Sequence, residues 1–221
     1  MAQELTLIIG NKNYSSWSLR PWLLLKQAGI PFKEIRLAIG VDDLFKFSPS
    51  GKVPVLKHGT LTVGDSLAIA EYLAEQFPEK TLWPRDTEAR AVARSLSAEM
   101  HSGFTDLRTQ MNMNCRGHFP GLGMTPEVEK DIRRIQQIWQ DSRSRFGQGG
   151  EFLFGQFSIA DAMYAPVSFR FVTYDVPLSP VAQAYVHTLQ RLPAMQEWLA
   201  AAKQETEVIE HYERYRDRNY T

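Results

Sequence analysis

Apolar residues along the chain follow two kinds of pattern, and the change between them falls at residues 78–87. Leu5–Ile9 ("LTLII") is a short apolar run with two adjacent isoleucines, ending at Gly10, which predicts a fully buried strand. Residues 18–28 ("SLRPWLLLKQA") are apolar nearly all round, so they predict a helix covered on more than one side and stopped by "GIP" at 29–31. Pro21 has no N–H to give and suits only a first turn, so this helix is expected to begin no earlier than about Ser18. "FKEIRLAI" (32–39) alternates and predicts a second strand. "VPVLKHGTLTVGDS" predicts a β-hairpin with strands at 53–57 and 60–63, joined through His58 and Gly59. Leu67, Ala70, Tyr72, Leu73 and Phe77 then recur at helical spacing and stop before Pro78.

Past "PEKTLWPRDT" (78–87) no strand signal returns, which places a boundary between an α/β unit over residues 1–83 and an all-helical unit over 88–221. Ala89, Val92, Ala93, Leu96, Met100, Phe104, Leu107 and Met111 recur at three and four and predict one long amphipathic helix. Val128, Ile132, Ile135, Trp139 and Phe146 predict a second. The Gly- and Pro-rich "CRGHFPGLGMTP" between them predicts a mobile loop. Ser158 and Asp161 stand at the spacing of a capping box, and shorter helices are expected over 181–190 and 194–203, before the mixed-charge tail "HYERYRDRNYT".

Composition narrows the function. The 221 residues carry 25 Lys plus Arg against 25 Asp plus Glu, with no basic block, so a nucleic-acid footprint is not expected. The one cysteine, Cys115, can form no internal disulfide, and the N-terminus lacks a basic segment before its short apolar run, so a cytoplasmic protein without a membrane span is expected. His58, His118, His187 and His211 fall at no metal-ligand spacing, and no metal is expected.

The densest chemistry lies in "NYSSWSLRPW" (13–22), where three serines and a tyrosine separate a predicted strand from a predicted helix. Taken with a Val-Pro before the hairpin, an acid-Ser dipeptide after it and the Ser-x-x-Asp cap, it resembles the cytosolic glutathione S-transferases over essentially the whole chain. "YSSWSLR" is similar to the Ser-Ser-Cys-x-x-Arg signature of the zeta class, which includes maleylacetoacetate isomerases. "SPSGKVPVL" and "VGDSLAIAEYL" resemble the two glutathione-holding motifs of the superfamily. The resemblance implies a thioredoxin-like domain followed by an all-α domain, and a homodimer. It implies glutathione as substrate or cofactor, and an electrophilic small molecule as second substrate. The activity it implies is transfer of glutathione; the alternatives are glutathione-dependent cis–trans isomerisation and a non-enzymatic binding role.

Within that frame the residues take roles by their chemistry. A free thiol has a pKa of roughly 8.5 and is only about 3% ionised at neutral pH. A serine hydroxyl is too weak a base to change that, but it can donate to sulfur and favour the thiolate. Ser15 and Ser16 stand where such a donor is needed, and Ser15 is the favoured one because it matches the first serine of the signature; the competing reading is that Ser15, Ser16 or Ser18 only caps the helix. Tyr14 is a rival donor, since a phenol can do the same. Trp17 occupies the place of the signature's Cys, so no mixed disulfide can form there. Val53, before a cis Pro54, would offer its main chain to the cysteinyl backbone of glutathione. Ser66, at a helix N-terminus, would take the γ-glutamyl carboxylate, Asp65 the amine and Lys52 the glycyl carboxylate. Met100, His101, Phe104, Thr105 and Arg108 are the candidates to wall the second-substrate cleft.

Overall fold

The structure, a computed structural model, describes residues 4–38 and 44–216. Its first part is a four-stranded mixed sheet in the order β2-β1-β3-β4, with β1 (Leu5–Ile9), β2 (Lys33–Arg36), β3 (Val55–His58) and β4 (Leu61–Gly64). β1 runs parallel to β2 and antiparallel to β3, and β3 pairs antiparallel with β4. β1 is buried, as its apolar run predicts, and lies inside the sheet between β2 and β3: Leu5, Leu7 and Ile9 join the main core while Ile8 is buried on the opposite face. β2 is an exposed edge that ends at Arg36; Ile39, the last residue of its expected span, lies outside the described residues. β3 starts two residues later than the hairpin pattern predicts. Pro54, which follows a cis peptide bond, has no N–H for the ladder; pairing begins at Val55 opposite Ile8.

Helices α1 (Ser16–Ala28) and α3 (Ser66–Gln76) pack against each other beside the sheet, and a short α2 (Leu44–Phe47) precedes β3. α1 begins two residues before the start that Pro21 suggests, and Pro21 lies inside it. Nearly every residue from Ser18 to Leu25 is buried, and that burial outweighs the one backbone bond the proline cannot make. Gly29, at φ 61, closes the helix, with the Ile30 N–H returning to the Leu25 carbonyl.

Beyond residue 86 the described chain is helical: α4 (Thr87–Ser102), α5 (Thr105–Gln110), α6 (Pro126–Phe146), α7 (Ile159–Thr173), α8 (Pro180–Gln190) and α9 (Pro193–Gln204). The single helix expected over 89–111 is two. Gly103 is extended and donates to the Glu99 carbonyl, Phe104 is left-handed at φ 55, and Asp131 of α6 accepts the Leu107 N–H at 3.0 Å. The loop expected to be mobile is instead pinned. Asn114 Oδ1 accepts from Asn13 and Gly117, Thr173 donates to the Asn114 carbonyl, and the Phe119 and Gly121 N–H groups reach the Thr173 and Tyr174 carbonyls.

α7 is the axis of the helical part. It is buried along almost its whole length and packs against α1, α4 and α8. Its start uses the predicted Ser158–Asp161 pair: Asp161 Oδ2 accepts both the Ser158 N–H (2.8 Å) and hydroxyl (3.0 Å), while Oδ1 accepts the Leu153 N–H (3.0 Å) and the Tyr185 hydroxyl (2.8 Å). No helix among the described residues is long and apolar enough to cross a membrane.

Candidate active site

A cleft of about 670 Å³ lies between the sheet part and the helical part, a size suited to a tripeptide and a small second molecule. All seven residues expected to bind or activate glutathione line it: Ser15 and Ser16 from the N-terminus of α1, Lys52, Val53 and Pro54 from the turn into β3, and Asp65 and Ser66 from the N-terminus of α3. Two helix starts therefore point into one cavity, and each brings the positive end of a dipole.

The three serines of the opening loop have different partners. Ser15 is the N-cap of α1: its Oγ accepts the Ser18 N–H at 3.3 Å and donates its own proton to Ser18 Oγ at 2.8 Å. Ser18 Oγ also accepts the Gly10 N–H at 3.0 Å, so the pair stitches the end of β1 to the first turn of the helix. Ser18 was the residue Pro21 pointed to as the cap; with the helix starting at Ser16, Ser15 takes that position. Ser16 is the first helical residue, and its Oγ accepts from Arg170 Nη2 of α7 at 3.4 Å. No acceptor for the Ser16 hydroxyl proton is present among the described residues.

Tyr14 is buried and its phenol is engaged twice. It donates to Glu213 at 2.5 Å and accepts from Arg116 at 3.0 Å, and burial followed by the Glu213 carboxylate raises its pKa above the ordinary phenol value. Asp65 sits at φ 73; Oδ1 caps α3 through the Leu67 and Ala68 N–H groups at 2.8 and 3.1 Å, and Oδ2 lies 3.2 Å from His101 Nε2 of α4. Ser66 Oγ accepts from Arg20 Nη1 at 3.4 Å.

Two guanidinium groups, Arg108 and Arg170, line the cleft, and a third, Arg20, lies behind Ser66. Arg20 of α1 and Arg170 of α7 are buried, Arg108 of α5 is half-buried, and no carboxylate among the described residues lies within ion-pair distance of Arg20 or Arg170. Burial, with Arg170 and Arg108 nearby, lowers the Arg20 pKa to about 9; burial, and Arg108 as a neighbouring cation, bring Arg170 to about 10. The Nε atoms of both have no hydrogen-bond partner among the described residues. Arg20 and Arg108 stack on the ring of Trp17 at 4.3 and 5.4 Å. Unpaired buried cations are costly unless an anion completes them, so this chemistry calls for an anionic ligand.

Of the residues expected to wall the second-substrate side, Thr105 and Arg108 line the cleft, whereas Met100 and Phe104 face the core and His101 turns to Asp65. Arg170, Met113, His211 and Tyr212 were not anticipated there. Arg170 had a readable signal, a lone arginine inside the apolar stretch "YAPVSFRF"; the tail residues had none. Cys115 is outside the cleft lining, and burial pushes its thiol pKa up, which disfavours its thiolate. Among the described residues no cluster of three or more His, Cys, Asp or Glu could hold a metal ion.

Comparison with known proteins gives the family of the chain. Residues 14–76 match the family model of the glutathione S-transferase N-terminal domain and residues 125–201 that of the C-terminal domain. The chain is 38% identical over 172 residues to glutathione S-transferase 1 of Dianthus caryophyllus, covering 74% of this chain and 76% of that protein. It is 31% identical over 176 residues to maleylacetoacetate isomerase of Rattus norvegicus, covering 75% of this chain and 77% of that one. A glutathione transferase homolog from Burkholderia gl BGR1, solved with bound glutathione, shares the fold with a TM-score of 0.72 at 24% identity, over 92% of this chain and all of the other (100%). With these matches across both parts, the chain belongs to the glutathione S-transferase family.

Proposed function

We propose that this chain is a serine-type glutathione transferase in which Ser16 donates to the glutathione sulfur and Ser15 holds the helix that presents it. The observation that carries the assignment is the division of protons: the Ser15 hydroxyl gives its proton to Ser18, while Ser16 accepts from Arg170 and keeps its own to give. Arg170 acts twice, polarising the Ser16 hydroxyl and adding positive charge beside the thiolate. Lowering the thiol pKa by about one unit raises the thiolate fraction at neutral pH by nearly an order of magnitude. The thiolate then attacks an electrophilic carbon, a C–S bond forms, and the leaving group departs with its electron pair.

The rest of glutathione fits the residues named for it. Val53 offers its main chain ahead of the β3 ladder, and Pro54 shapes that edge. Ser66, with Arg20 behind it and the α3 N-terminus beneath, takes the γ-glutamyl carboxylate. Asp65 takes the amine through the oxygen it shares with His101, and Lys52 takes the glycyl carboxylate. The test is the ultraviolet absorbance of bound thiolate titrated against pH. Ser16→Ala is expected to raise the bound thiol's pKa by about one unit and to lower kcat/KM roughly tenfold or more, Ser15→Ala to leave the titration in place. A shift in Ser15→Ala with none in Ser16→Ala would reassign the donor.

A second reading is favoured by Arg108 and Arg170, two cations on the second-substrate side that suit an acidic electrophile. Glutathione would then serve as a returned cofactor: the thiolate adds to a double bond conjugated to a carbonyl, the resulting enolate allows rotation, and elimination restores both. Turnover of maleylacetone without loss of glutathione selects this reading; a conjugate formed with chlorodinitrobenzene selects transfer. Absence of any heat with millimolar glutathione in calorimetry would leave only a binding module of this fold. The family resemblance also carries a cytoplasmic homodimer, and light scattering at a monomer mass would overturn the dimer.

A further inference from the structure

Residues 205–216, the segment after α9, return to the cleft mouth and are tied down at several points. The Glu205 carboxylate accepts the N–H groups of Lys12 and Asn13 at 2.7 and 3.0 Å, on the loop that leads into Tyr14 and the serines. Arg116 donates to the Glu205 carbonyl, to the Glu207 carbonyl at 3.0 Å and to the Tyr14 hydroxyl at 3.0 Å. Tyr14 in turn donates to Glu213 at 2.5 Å, and its ring stacks on Tyr212 with centroids 5.3 Å apart and planes inclined by 19°. Asn112 Nδ2 holds the Tyr212 carbonyl at 2.9 Å. Held in this way, Tyr212 lines the cleft together with Arg108, Met113 and Arg170.

The phenol of Tyr14 is therefore occupied. Its proton goes to a carboxylate and its lone pair to a guanidinium, which leaves it serving the tail and not the sulfur. We propose that Tyr212 is a specificity-determining wall for the electrophile, held in place by Tyr14, Glu213 and Arg116 as positioning residues. The proposal rests on the glutathione transferase reading for the identity of the ligands. A flat aromatic wall beside the apolar Met113 and the two guanidiniums suits a planar electrophile with electron-withdrawing or anionic substituents.

The test uses Tyr212→Ala, Tyr14→Phe, Glu213→Gln and the Tyr14→Phe/Glu213→Gln double variant of the full chain. With chlorodinitrobenzene as the electrophile, Tyr212→Ala is expected to raise its KM about fivefold or more, with the Kd for glutathione and the bound thiol's pKa unchanged. Tyr14→Phe and Glu213→Gln are expected to raise the same KM and to speed hydrogen exchange of the 205–216 amides about tenfold, the double variant adding little to either single. An unchanged KM in Tyr212→Ala, a bound-thiol pKa raised by about one unit in Tyr14→Phe, or unchanged exchange in both positioning variants would each overturn the proposal. The exchange measurement needs no glutathione, so it judges the anchoring of the tail even if wild-type protein fails to bind the tripeptide and the transferase reading falls.

Discussion

Arg20 and Ser15 show how one side chain can serve stability and another function at the same helix. Arg20 is buried, with no carboxylate among the described residues within ion-pair distance, so its guanidinium is expected to burden the free protein and to favour a state that holds an anion. Arg20→Met is expected to stabilise the free protein by about 1–2 kcal/mol, seen as a higher Tm, while glutathione binds roughly tenfold or more weakly by calorimetry. A lower Tm with unchanged affinity would make the guanidinium purely structural. Ser15→Ala removes an N-cap and is expected to cost about 1 kcal/mol, or about 2–4 °C in Tm for a chain of this size, whereas Ser16→Ala is expected to stay within about 0.5 kcal/mol. Opposite responses in melting and thiol titration would separate two neighbouring serines that look alike in the sequence.

Helix boundaries record where local preference yields to partners. The spacing of Met100, Phe104, Leu107 and Met111 stays helical across the α4–α5 break, so periodicity passes over it; the break is made by a left-handed Phe104 and by Asp131 reaching from another helix. The Gly- and Pro-rich loop is pinned by asparagines and by α7 carbonyls that lie far away in sequence. Ser158 and Asp161 are the opposite case, a local cap visible in four residues that the structure retains. Asp161 also satisfies Leu153 and Tyr185, so Asp161→Ala leaves several buried donors without an acceptor. The expected loss is about 3–5 kcal/mol, lowering Tm by on the order of 10 °C in a calorimetric scan.

Across the whole molecule, α1 is the shared element. It lies beside α3 in the sheet part, packs on α7 in the helical part, and touches α9, where Trp22 meets Trp198 edge to face at 5.1 Å. Trp198 also donates to the Lys12 carbonyl at 2.9 Å, and Lys12 pairs with Glu34 of β2 at 2.8 Å. A fragment of residues 1–86 would expose the apolar side of α1 that α7 covers, and it is expected to show no cooperative melting by circular dichroism. A sharp transition for that fragment would show the sheet part to be self-sufficient.

The order of the four strands, the burial of β1 and the capped start of α7 were legible in the sequence, because each depends on neighbours within a few positions: alternation, helical spacing, a proline without an N–H, a hydroxyl before a helix; the seven residues that line the cleft were named through the family resemblance. Which serine keeps its proton, where α4 ends, and which residues complete the cleft were decided by tertiary structure alone. Arg170 is 154 positions from Ser16 and Glu213 is 199 from Tyr14, so no local pattern encodes either contact; only packing of α7 and return of the tail bring those charges to the opening loop.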